Sequence, residues 1–150
     1  MKAPGEKTGE TAADHEKRVQ VAACVLLLEA AHSDYECTDA ELAHVLETMK
    51  TRFDISGDYA RELVDLAREE REHNVDLFAF TRQVNEKFSR EEKLEVLEAV
   101  WRIIHMDGKL SKYEDHYVRK LTGLLRLYHE DMIETKIRAR EHIRPNGSTT

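Results

Sequence analysis

Proline is missing from the entire stretch between Pro4 and Pro145, and the interior glycines are only Gly57, Gly108 and Gly123. A β protein of this length needs many more turn formers, so strand-rich folds are excluded and uninterrupted helices are favoured. Cysteine is equally scarce. Cys24 sits inside an apolar run and Cys37 follows it, too few for a disulfide framework and unlike any zinc-ligand spacing. Two buried, inert thiols in a reducing cytoplasm are the expectation. The longest apolar run, Val21 to Leu28, falls far short of the roughly 20 residues that a membrane-crossing helix needs. No transmembrane segment is therefore expected. Positive charge is in deficit as well: 23 Lys and Arg stand against 30 Asp and Glu, a net charge of −7. No uniform positive field is available to hold a phosphate backbone, which argues against a nucleic-acid partner.

What remains is 41% hydrophobic and 35% charged over 150 residues, enough for one core beneath a heavily charged surface. Helical periodicity and start signals predict an all-α chain of about seven helices. The first, from about His15 to Ala31, is apolar on nearly every side and should be central. Thr38-Asp39-Ala40-Glu41 and Ser89-Arg90-Glu91-Glu92 are capping boxes, each opening a helix. Ser56 and Asn74 are placed to cap two more, and Ser111-Lys112-Tyr113-Glu114 opens a sixth. A seventh runs from about Glu130 to Ile143. Trp101 is expected to anchor the core. The charged first residues read as a tail over 1–14, the helical domain as 15–143, and RPNGSTT as a tail over 144–150.

Sliding the chain against itself by 73 residues reveals an internal repeat. His32 falls on His105, Asp34 on Asp107, Thr38 on Ser111, Glu41 on Glu114 and Val45 on Val118. In the preceding helix Val21 falls on Leu94, Cys24 on Leu97, Leu27 on Val100, Leu28 on Trp101 and Ala31 on Ile104. Polar marks and core positions agree, so two pseudo-repeated helix-loop-helix units related by an approximate twofold are expected.

The segment Asp107-Gly108-Lys109-Leu110-Ser111-Lys112-Tyr113-Glu114 resembles the signature of the TerB-like domains, a family named for a bacterial tellurite-resistance protein. The Asp34 to Glu41 segment keeps the aspartate, threonine and glutamate, with Tyr35 in the place of the glycine. Leu77-Phe78-Ala79-Phe80-Thr81-Arg82, Phe88-Ser89 and Trp101 are similar to a stand-alone bacterial branch, and the resemblance spans roughly residues 16 to 142. It implies an all-helical, non-enzymatic module linked to metal stress and to membrane-associated complexes. It also implies a divalent-metal cluster, here Asp34, Glu41, Asp107 and Glu114.

The residues themselves leave two readings of that cluster. Four converging carboxylates repel unless a cation neutralises them, and oxygen donors favour Ca²⁺, Mg²⁺ or Mn²⁺ over zinc. Alternatively, Glu41 and Glu114 are capping-box partners and the aspartates ordinary loop residues. His32 and His105 stand at helix ends, where a cationic imidazole is favoured. Glu29-x-x-His32, Glu41-x-x-His44 and Glu70-x-x-His73 carry the spacing of a di-metal carboxylate enzyme, the rival functional class. Other enzyme signatures are missing: there is no phosphate-binding loop, GxGxxG, GxSxG or HExxH. The basic stretch from Lys136 to Arg144 suits the end of a helix, with a weak peripheral membrane contact as its alternative. The expected output is a cytoplasmic binding or sensing module whose partner is another protein.

Overall fold

The computed structural model describes residues 11–31, 38–73, 76–106 and 112–143. Seven helices occupy 89% of these residues, and no strand occurs among them. In chain order they are α1 Ala12–Ala31, α2 Asp39–Phe53, α3 Gly57–His73, α4 Leu77–Lys87, α5 Arg90–His105, α6 Lys112–Leu124 and α7 His129–Ile143. The all-α expectation and the helix count therefore hold.

The starts follow the chemistry of the N-cap. Thr38 Oγ1 accepts from the Glu41 N–H at 3.1 Å while a Glu41 carboxylate oxygen accepts from the Thr38 N–H at 2.9 Å. Ser89 and Glu92 do the same at 3.1 and 2.8 Å, and Ser56 accepts from Tyr59 at 3.1 Å. Two starts differ from the sequence reading. Helix α1 begins three residues early, because Thr11 and Asp14 form a reciprocal pair at 3.0 and 3.3 Å that satisfies two otherwise orphaned amides. Helix α4 is capped by Asp76, not Asn74: Asp76 directly precedes Leu77 and accepts from the Phe78 N–H at 3.1 Å. Asn74 itself lies outside the described residues.

Helix α1 is buried without interruption from Val19 to Leu28, as its all-round apolar sequence requires. It packs against α2, α3, α4 and α5, while α5 packs against α1, α2, α6 and α7. The pairs α1–α2, α1–α3 and α2–α3 recur as α5–α6, α5–α7 and α6–α7. Helix α4 covers α1 and reaches α6. It is tied in by Asn85, which donates to the Leu124 carbonyl at 2.9 Å and accepts from Lys93 Nζ at 3.1 Å. Trp101 is buried as expected, but it turns toward α7, its indole N–H donating to the Met132 carbonyl at 3.1 Å.

Candidate functional site

Of the four carboxylates expected to converge, Glu41 and Glu114 are described, whereas Asp34 and Asp107 lie outside the described residues. Both glutamates sit in the first turn of their helices, α2 and α6, and both are buried, at 9% and 3% exposure. Capping alone does not demand this: Glu92, in the same role on α5, keeps 44% of its side chain exposed. Among the described residues no group of three or more potential metal ligands comes together.

The glutamate–histidine pairs are spread over three helices and have other partners. Glu29 bonds to Arg71 at 2.8 Å and accepts from the Tyr113 hydroxyl, joining α1, α3 and α6. Burial, followed by the Glu29 hydrogen bond and charge, pushes the Tyr113 phenol up to about 12. The Glu41 carboxylate accepts from its own cap and His44 lies 3.5 Å from Thr48, while His73 contacts the Glu69 carbonyl. His32 is outside the described residues. His105 does not follow the cationic reading, because its ring is stacked on Trp101 and burial, then Arg140 and Lys136, lower its pKa. Its Nδ1 is buried without a hydrogen-bond partner among the described residues. Cys24 is a buried free thiol, pushed up to about 12 by burial; Cys37 lies outside the described residues. In the basic stretch, Arg138 is engaged by Glu98 at 3.2 Å, and Lys136 lies 5.2 Å from the Trp101 ring centroid.

A feature that the sequence reading missed is a cleft of about 880 Å³ between α2 and α5. His44, Thr48, Thr51 and Arg52 form one wall; Glu95, Glu98, Ala99 and Arg102 form the other. The rims are ion-paired: Arg52 to Glu95 at 2.7 Å and Arg102 to Glu98 at 2.6 Å. Two donors, Arg52 Nε and Arg102 Nε, are buried there without a hydrogen-bond partner among the described residues, an arrangement that costs free energy. A shift of 73 residues carries His44 onto Tyr117 and Ala99 onto Leu26. At that counterpart position, between α6 and α1, Tyr117 is buried and donates to the Leu26 carbonyl at 2.7 Å. A long phenol fills one junction, while an imidazole opposite an alanine leaves the other open. The signal was present in the sequence, as two mismatches under the 73-residue shift rather than as a motif.

An all-helical module of paired hairpins, with an open interhelical cleft and buried first-turn glutamates, is the class that this architecture defines. Residues 20–137 match the family described as tellurite resistance protein TerB, and the chain belongs to that family. No curated protein and no solved structure matches it. No helix among the described residues is long and apolar enough to cross a membrane.

Proposed function

We propose that the chain is a non-enzymatic binding and sensing module of the tellurite and metal-stress response, acting in the cytoplasm on another protein through the α2–α5 cleft. The observation that carries this reading is the unequal filling of two related junctions: Tyr117 closes one, whereas His44 and Ala99 leave about 880 Å³ open in the other. An internal duplication of a three-helix unit accounts for the recurrence of the helix pairs and makes the open junction a departure from symmetry. An open cleft walled by ion-paired arginine and glutamate side chains suits a protein segment that brings its own polar groups. His44→Tyr combined with Ala99→Leu should fill the cleft and leave the circular dichroism spectrum unchanged. Proteins retained from a cell extract by the wild type should then be lost by the filled variant. Equal retention by both would sink the reading.

A second reading, a hard divalent cation held by Asp34, Glu41, Asp107 and Glu114, is favoured by the burial of the two glutamates beyond what capping needs. Their oxygens suit Ca²⁺, Mg²⁺ or Mn²⁺, which would supply charge neutralisation as the sensed input. Added cation should raise the melting temperature in proportion to ln(1 + [L]/Kd). Glu114→Gln should blunt that response and Glu92→Gln should not. A melting temperature indifferent to all three cations would leave capping as the whole role of these residues.

A further inference from the structure

Helix α7 turns two isoleucines outward: Ile133 is 41% and Ile137 46% exposed. They are spaced by four residues, so both lie on one face, opposite the buried Met132, Thr135 and Ala139 that hold α7 to the bundle. The charges beside them are sorted by edge. In heptad notation Ile133 is a d position and Ile137 the following a, which makes His129 and Lys136 g positions and Glu134 and Glu141 e positions. One edge of the apolar ridge is thus basic or imidazole and the other acidic.

We propose that this face is a self-complementary interface through which α7 pairs in parallel with α7 of a second copy of the chain, related by a twofold axis running along the helices. In a parallel pair each g residue faces the e residue five positions on in the other helix. His129 then meets Glu134 of the second copy, and Lys136, exchanging its place over the Trp101 ring for an ion pair, meets Glu141 of the second copy, twice each by symmetry. An antiparallel pair would set like edges together, bringing Lys136 toward His129 and Glu134 toward Glu141. The edge charges therefore choose both the occupant and its direction. At the preceding a position Glu130, and at the following d position Arg140, limit the dry seam to the isoleucine layers, so the association is weak and concentration-dependent. The pairing needs no cation and does not involve the α2–α5 cleft.

Sedimentation equilibrium tests this over a wide range of protein concentration. The wild-type mass should rise from 17.4 kDa toward twice that value, and Ile137→Glu should hold it at one chain with an unchanged helical spectrum. Lys136→Glu and Glu141→Lys should each weaken association by about tenfold, since each turns two attractive contacts repulsive. Mixing those two variants restores opposite charges across the seam and should return association to the wild-type level. A wild type that stays monomeric throughout overturns the proposal. So does a dimer indifferent to Ile137→Glu, one tightened by Lys136→Glu as antiparallel pairing requires, or a mixture no tighter than its components.

Discussion

The two three-helix halves, α1 to α3 and α5 to α7, make the same helix pairs but solve the same packing problem with different side chains. The first hairpin is centred on α1, buried all round because α4 also lies across it; among the described residues no helix covers α5 in the same way, and it keeps Glu95 and Glu98 toward the cleft. Each half ties its first helix to its third with a carboxylate–guanidinium bridge, Glu29 to Arg71 at 2.8 Å and Glu98 to Arg138 at 3.2 Å, yet under the 73-residue shift neither partner of one bridge falls on a partner of the other. Leu28 fills its place with hydrocarbon alone, whereas Trp101 adds a hydrogen bond to Met132 and a stack on His105. The difference teaches that hydrophobic spacing conserves the fold, while the polar residues beside it decide which junction closes.

The largest test of this comparison is Trp101→Ala. It should cost about 3 to 5 kcal/mol as a cavity-forming change, more than Leu28→Ala at the matching position, because a larger side chain is removed and the indole's hydrogen bond to the Met132 carbonyl goes with it. Urea denaturation of both variants measures the gap, and a smaller loss for Trp101 would mean that the second half packs no more tightly there than the first.

Next comes Tyr117→Phe, which keeps the ring but removes the phenol's hydrogen bond to the Leu26 carbonyl, for a loss of about 1 kcal/mol. His44→Phe, at the open counterpart, should be close to neutral. Comparable losses at both sites in thermal melts would erase the distinction between the closed and open junctions. Thr38→Ala should remove about 1 kcal/mol, as the loss of an N-cap does. Ser89→Ala should cost no more, although the box it belongs to is far less buried.

The smallest effect is a pH dependence confined to the second half. Burial, then Arg140 and Lys136, lower the pKa of His105 in the folded chain relative to 6.5, so the unfolded chain binds more protons as pH falls below about 6.5. Stability should therefore decline from that point downward, and His105→Gln should flatten the decline. Denaturant midpoints collected from pH 5 to 8 for the two proteins give the comparison. An unchanged profile in the variant would assign the acid sensitivity elsewhere.

Much of this architecture was legible in the sequence because helices announce themselves by period and cap. The Thr38, Ser56 and Ser89 starts lie where the side-chain chemistry places them. The start at Thr11 was readable by the same rule, since Thr11 and Asp14 have capping-box spacing, but the charges around it resembled a tail. Asn74 and Asp76 are both good caps two residues apart, and only the position of Leu77 in the packed helix selects the second. The outward turn of Ile133 and Ile137 was illegible, since periodicity marks apolar residues without saying which neighbour covers them. The α2–α5 cleft shows in the sequence only as His44 and Ala99 standing where the 73-residue shift has Tyr117 and Leu26; that these smaller side chains leave a space is a long-range fact that local pattern does not contain. Spacing singled out Glu41 and Glu114, and only packing revealed how deeply both are buried.

Cys24 gives the molecule a clock. Its sulfur is sealed inside α1, which four other helices touch, and its proton is held far more tightly than a free thiol's, so reagents that need a thiolate find nothing to attack in the closed state. With Cys37→Ser removing the other thiol, the rate at which Cys24 reacts counts the occasions on which α1 is released. That rate reads the opening free energy of the whole bundle under native conditions, without denaturant.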